Sequence, residues 1–384
     1  MELMLKQCLA ITRREFYYMW RDKGLRYILL LASLVGLLLF AGIYSAEVLQ
    51  DIPTAVVDLD NSSQSRALVQ KLENAENLKV TARLSNYAEV RELLEEGRVV
   101  VGVVIPENFG RDVSLSRSTN VAMLIDGSNM VYATNASSAV LTITRTVSAE
   151  AGVKTLLAQG VEMNQAKEAY QAIDLKEEYW FNPTANYAYF LVLGLVLNMW
   201  QQCCTLAACA NIISETGVSS WLQIRAMGIS KFKLFFSKSI AHLIVFMVLA
   251  VVLYILCFGV LKLPLHCGWG ILLLFTFATA VALHSVGTMM SSLALNAVDS
   301  ARFGMIVALP SFVLSGFTWP LEAMPHFLQL LVWILPQTWF FQGLNYLTFK
   351  NPGWHFMLPY FEGLIIITLV CYGVSTVATG LIER

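Results

Sequence analysis

The sequence predicts an α-helical polytopic membrane protein (six transmembrane helices) with an inserted extracytoplasmic α/β domain. Three observations carry this expectation. Of 384 residues, 57% are hydrophobic and 14% charged, too apolar for an ordinary soluble chain of that size. Six segments approach the roughly 20 apolar residues that a helix needs to cross a bilayer: 25–44, 187–212, 239–261, 268–293, 302–317 and 360–381. Between the first two lies a stretch, 46–182, that holds 12 Lys and Arg against 19 Asp and Glu and alternates short β-branched runs with amphipathic ones.

Residues 1–24 read as an amphipathic helix on the inner leaflet. Leu5, Leu9, Phe16 and Trp20 recur at helical spacing, Lys6, Arg13, Arg14 and Arg21 fall elsewhere, and the aromatics suit the headgroup zone. Residues 25–45 form the first transmembrane helix. The apolar run is too long for a signal peptide, and Tyr44-Ser45-Ala46 is a poor cleavage site.

The insert 46–182 is expected to be a small mixed or parallel sheet with helices on it. Strands are predicted over 54–58, 78–82, 99–105 and 121–126, and helices over 63–74 and 87–96. A long helical stretch follows from about 130 to 173. Asp58-x-Asp60-x-Ser62 begins like a calcium loop, but it lacks the sixth-position glycine and has Val69 where a bidentate glutamate belongs. A strand end followed by a helix capped by Asn61 and Ser62 explains it better. None of the seven cysteines falls in this insert, which fits a bacterial periplasmic domain without disulfides. Cys203, Cys204 and Cys209 sit in an apolar helix with no ligand partner nearby, and read as small packing residues. No metal site is expected.

Residues 183–384 supply transmembrane helices 2–6. The first 26 residues carry six Lys and Arg, the loop 214–238 carries Arg225, Lys231, Lys233 and Lys238 against Glu215, and Arg302 lies in the next loop on that side. The positive-inside rule then places both termini in the cytoplasm and 46–182 outside. Pro310 falls near the middle of the short fifth span and should kink it. The segment 319–350 is apolar but broken by Pro320, Pro325 and Pro336, which favours outward-facing re-entrant or interfacial helices.

The chain has no GxxxxGK[ST] phosphate loop, no HExxH and no Ser/His/Asp constellation, so no catalytic residue or cofactor is expected on it. His242 and His284 lie within spans, as proton-relay groups or as cross-helix hydrogen-bonding partners. Asn198, Gln201 and Gln202, beside Met199 and Trp200, are uncharged amides in hydrocarbon. A substrate path with adaptable walls and simple helix–helix bonding both account for them, and both require an inward face.

Taken together, the basic N-terminal helix, the stretch 53–72 (PTAVVDLDNSSQSRALVQKL), the loop Glu215-Thr216-Gly217 … Arg225-Ala226-Met227-Gly228-Ile229-Ser230 … Lys238, and Ser315-Gly316 … Trp319-Pro320 … Met324-Pro325 resemble the ABC-2 type transporter permeases, in the multidrug-exporter branch with a large outer domain. The resemblance covers nearly the whole chain. The loop departs from the family pattern in its Thr216-Gly217 order and lacks a proline near Gly228.

What the resemblance implies is a permease subunit of an exporter in the bacterial inner membrane, moving amphiphilic drugs or lipid-like molecules. A second permease, copy or sibling, pairs with it, and a separate subunit binds ATP and Mg. Glu215, Gly217, Trp221, Arg225, Gly228 and Lys238 would form the ATPase-coupling element. Asn198, Met199, Gln201, Gln202, Phe303 and Phe312 would line the substrate path, and Gly316, Trp319, Pro320 and Pro325 would form an outer gate. A periplasmic adaptor with an outer-membrane channel is a further partner such a subunit can take; nucleic acid is not one. The alternative is a non-transporting receptor or secretion accessory protein, which would have no need of a glycine-bounded amphipathic coupling loop. A secondary carrier would need ionisable residues in its spans, and these are sparse.

Overall fold

The computed structural model describes residues 2–44, 49–115, 117–170, 180–182, 186–217, 226 and 228–381. It divides into two compact units, one of Met1–Ser45 with Tyr179–Arg384 and one of Ala46–Glu178.

The first unit is helical. Among the described residues, six of its helices are long and apolar enough to cross a membrane: Lys23–Ile43, Ala188–Glu215, Lys233–Val260, Trp269–Leu293, Ala297–Leu314 and Trp354–Thr379. This is a multi-pass membrane protein. The fifth helix begins earlier than expected because the Asn296 side chain accepts a hydrogen bond from the Asp299 amide and starts it there. Pro310 does more than kink it. The helix Ala297–Ala308 stops, and a separate turn, Ser311–Leu314, follows the proline. The sixth starts at Trp354 and carries Pro359 within its early turns. The third runs back to Lys231, where Ser230 caps it, so the expected loop 214–238 is already helical at both ends.

The core of this unit is aromatic and small-residue rich. Trp200 is fully buried and its indole donates to the Phe246 carbonyl at 3.0 Å. Phe275, Phe340 and Phe341 are also fully buried. The second and fourth spans approach closely enough that a Cβ at Gly287 would lie 2.5 Å from that of Ala208, the close backbone packing that small residues permit. Cys203, Cys204 and Cys209 are buried free thiols in this packing.

The second unit holds a four-stranded sheet in the order β2-β1-β3-β4, with β1 Ile52–Asp58, β2 Leu78–Leu84, β3 Val101–Ile105 and β4 Ala122–Ile125. β1 is parallel to β2 and β3, while β3 and β4 are antiparallel. Parallel neighbours need crossovers, and the helices Ser63–Glu73 and Tyr87–Glu95 supply them. Asp58 and Asp60 are spent on the strand end. Asp58 accepts from the amides of Asp60 and Asn61 and from the Ser65 hydroxyl, and Asp60 accepts from the Gly110 amide. The Ser62 hydroxyl caps the following helix at the Ser65 amide. The long helix Met130–Ala158 is broken from Met163–Tyr170 by a turn at Gly160, so the expected single helical stretch is two.

Candidate functional site

At the end of the bundle that carries the N-terminal helix Glu2–Arg21, four buried ionisable side chains, Glu15, Glu215, Lys238 and His242, meet with the exposed Arg14 at their edge. The helix turns Ile11, Glu15 and Met19, spaced four apart, into the protein, with Glu15 only 2% exposed. Leu9 and Trp20, on the apolar face read from the sequence, are 70% and 64% exposed and are not part of this inward stripe. Ile11 packs on Leu234, and the Thr12 hydroxyl donates to the Ser237 carbonyl at 3.0 Å. These contacts set Glu15 beside Lys238, which is fully buried at the start of the third span.

The Lys238 ammonium donates to Glu215 Oε1 at 2.8 Å and Ser214 Oγ at 3.0 Å, and lies 3.4 Å from Glu15 Oε2. Arg14 donates from the N-terminal helix to the same Glu215 carboxylate. Two cations thus face two carboxylates, Lys238 fully buried among them and Arg14 reaching in from the surface. Burial would raise the Glu15 carboxyl, but the His242 contact and the Lys238 charge outweigh it and hold Glu15 below the ordinary carboxylate range.

The cluster continues inward. His242, one helical turn after Lys238, brings Nε2 to 3.3 Å from Glu15 Oε1, an electrostatic approach too poorly aligned for a hydrogen bond. His242 Nδ1 meets His284 Nε2 of the fourth span at 3.0 Å, and His284 Nδ1 meets the Tyr372 hydroxyl of the sixth at 2.8 Å. The row is satisfied with a ring proton of His242 on Nε2, on the side of the Glu15 carboxylate. His284 Nε2–H then donates to His242, and Tyr372 donates to His284. One consistent row of polar contacts therefore joins the N-terminal helix to the third, fourth and sixth spans. Beside it, the second span stops at Ala208 and resumes as Ile213–Gly217. The amides of Ile212 and Ile213 there donate to the Ser291 hydroxyl, each at 3.0 Å.

The residues read as a coupling element are thus divided. Glu215 and Lys238 are turned into the network and away from solvent, and Gly217 ends the short helix Ile213–Gly217. Gly228 has φ +71°, a left-handed conformation that glycine adopts without strain, just before the Ser230 cap. Trp221 and Arg225 lie outside the described residues.

Among the residues read as a substrate path, three come together. The Gln201 side-chain amide is fully buried and donates to Asn198 Oδ1 at 3.0 Å and Ser311 Oγ at 3.3 Å, while Gln337 donates back to its oxygen at 2.9 Å. Gln202 also donates to Asn198, at 3.2 Å. The second span, the turn after Pro310 and the helix Pro336–Asn345 are joined through this amide. Met199 packs against Gly36 of the first span. Phe303 is 40% exposed and Phe312 is buried on Phe317 and Phe341, so neither joins the amide cluster.

At the opposite end of the second span aromatic rings pack together. Phe317 stacks on Phe190 with centroids 5.2 Å apart and fills a notch over Gly194, where a Cβ would lie 2.2 Å from its ring. Gly316 beside it has φ +78°, and a Cβ there would sit 2.5 Å from both Gln342 Nε2 and Leu321 Cγ. Trp319 is 56% exposed; Pro320 and Pro325 each precede a short helical turn, Leu321–Ala323 and His326–Leu331. Gly194 and Glu215 are about 30 Å apart at the rise of a helix, so the aromatic cluster and the ion network occupy the two ends of one span.

Glu15 was missed from sequence, though it stands in register with Ile11 and Met19 as a lone carboxylate on an apolar stripe. His242, four residues after Lys238, was the second signal.

A bundle with six helices long and apolar enough to span a membrane among the described residues, interrupted after the first by an α/β unit, defines a multi-pass membrane protein. More particularly, residues 23–377 match the ABC-2 family transporter protein family, and the chain belongs to it. It is 23% identical over 373 residues to "Probable multidrug ABC transporter permease YbhR" of Escherichia coli (strain K12), covering 95% of this chain and 96% of that one. It is 24% identical over 316 residues to "Inner membrane transport permease YhhJ" of the same organism, covering 82% and 81%. With "Linearmycin resistance permease protein LnrN" of Bacillus subtilis (strain 168) it shares 22% over 367 residues, covering 89% and 91%.

Proposed function

We propose that the chain is the membrane-spanning subunit of an ATP-driven exporter in a bacterial inner membrane, with both termini cytoplasmic and residues 46–182 outside. It moves amphiphilic compounds, drugs or lipid-like molecules, and pairs with a second permease, copy or sibling. A separate subunit binds ATP and Mg and docks on the loop 214–238; an adaptor outside the membrane completes some such assemblies. The relatives' names, multidrug and linearmycin-resistance permeases among them, support this substrate class.

One observation carries the coupling part of the reading. Glu215 and Lys238, at the two ends of the loop, form a buried ion pair that Glu15 joins from within and the exposed Arg14 from the edge. A rigid displacement of the loop is then passed to the second and third spans together, and through His242 and His284 to the fourth and sixth. Buried, fully paired charges resist being pulled apart one at a time, so the loop and its flanking helices move as a body. Glu215 and Lys238 serve as positioning residues, while Trp221, Arg225 and the rest of the loop meet the ATPase.

The test is affinity purification of the full chain from its native membranes. An ATP-binding subunit should co-elute, and Arg225→Glu with Gly217→Pro should abolish export and ATPase stimulation while the permease remains inserted. Normal ATP-coupled export by that double variant would defeat the coupling assignment. Cysteine labelling of 218–230 from outside the cell would defeat the orientation.

A further inference from the structure

An apolar cleft of about 290 Å³ opens between the N-terminal helix, the first span and the third, walled by Phe16, Met19, Trp20, Leu29, Val248 and Leu249. Its volume sits at the lower edge of ligand-sized cavities, about 300 Å³. Its walls are hydrocarbon, the stem of Arg26 among them, and the Arg26 guanidinium lies over the Trp20 ring of that wall, 5.9 Å from its centroid. Among the described residues no carboxylate pairs with Arg26. Its contacts are the Trp20 carbonyl, at the 3.5 Å limit of a hydrogen bond, and the faces of Trp20 and Tyr27 at 5.9 and 5.5 Å. The neighbouring Asp22 carboxylate is used on the Leu25 amide as a helix cap. Arg21 and Lys23 flank the same corner of the chain and leave it net positive.

We propose that this cleft is a binding site for an anionic glycerophospholipid, with one acyl chain lying between the N-terminal helix and the third span and the phosphate on Arg26. An open apolar cleft bordered by two spans is filled by lipid chains in a bilayer, because neither water nor a polar solute can replace the contacts its walls lack. The half-exposed Trp20 and Tyr27 mark headgroup depth. A cation there without an internal partner selects for negative headgroups, as basic pockets between spans do. The lipid also bridges the helix that carries Arg14 and Glu15 to the span that carries Lys238, so its occupancy reinforces the docking of that helix. The site does not depend on what the protein exports.

The test uses the full chain reconstituted in discs of phosphatidylethanolamine with either phosphatidylglycerol or phosphatidylcholine, then released for native mass spectrometry. One phosphatidylglycerol should be retained about fivefold better than phosphatidylcholine, the preference that one membrane-proximal cation confers. Arg26→Gln should remove that preference and Arg26→Lys should keep it. Val248→Trp, which fills the cleft, should lower retention of both lipids. Equal retention of the two lipids by the unaltered chain, a persistent preference in Arg26→Gln, or undiminished retention in Val248→Trp would overturn the site.

Discussion

Replacing Lys238 by Met keeps an unbranched apolar side chain one atom shorter and removes the ammonium with its hydrogen bonds to Glu215 and Ser214. In the structure that charge is fully buried, 2.8 Å from Glu215 and 3.4 Å from Glu15. Glu215 retains Arg14 afterwards. Glu15 retains only the poorly aligned approach of His242, so the cost falls on the N-terminal helix. Breaking a buried pair by removing one partner costs about 3–5 kcal/mol, enough to raise local opening of that helix by about a hundredfold or more. The assay is amide hydrogen exchange over residues 11–19 of the full chain in lipid discs, where Lys238→Met should strip most of the protection. Adding Glu15→Gln removes the stranded carboxylate, and the double variant should regain about 1–3 kcal/mol relative to Lys238→Met alone. Unchanged protection in the single variant, or a double variant at least as exposed, would refute the network as what docks the helix. The pH dependence has a definite sign. A carboxyl lowered in the folded state contributes stability above its unfolded value and loses it as pH falls through the folded one. The Glu15 contribution to docking should therefore hold from pH 8 down through the ordinary glutamate value of about 4.3 and fade only below it.

Gln202→Leu deletes one donor to Asn198 beside the amide cluster and should change which compounds are exported; an unchanged profile across a dye and drug panel would leave the residue a packing role. Gly316→Ala forces a side chain onto a left-handed backbone and into Gln342 and Leu321, and should cost about 1–3 kcal/mol, read as a lower melting temperature than that of Gly42→Ala, where the added Cβ would clash with nothing. In the α/β unit, the Ser62 hydroxyl and the Gly110, Asn108 and Ser62 amides hold Asp60 below its ordinary value. Exchange protection at Gly110 should accordingly persist at neutral pH and decline as acid protonates Asp60, and Asp60→Asn should abolish that dependence.

Local pattern was enough for the elements. Hydropathy over about 20 residues located the spans because each must bury a whole helix in lipid whatever its neighbours do. Strand and cap signals placed β1 to β4 and the Ser62 cap within a few residues, since a run such as Val101–Ile105 and a serine before a helix act through nearest neighbours. Breaks were less legible. Pro310 was visible, but whether it kinks a helix or ends it depends on what Gln201 and Ser311 bond across the gap.

Membrane class, span number and the absence of a nucleotide loop were properties of composition and sequence distance, and the chain alone determined them. The face of the N-terminal helix, the pairing of Lys238 with Glu15 and Glu215, and the meeting of His242 with His284 were decided only in three dimensions. Charges in hydrocarbon have no local rule to satisfy them. Each must find its counterpart on another helix, up to 223 residues away in the case of Lys238 and Glu15, and only the packed bundle brings those positions within reach.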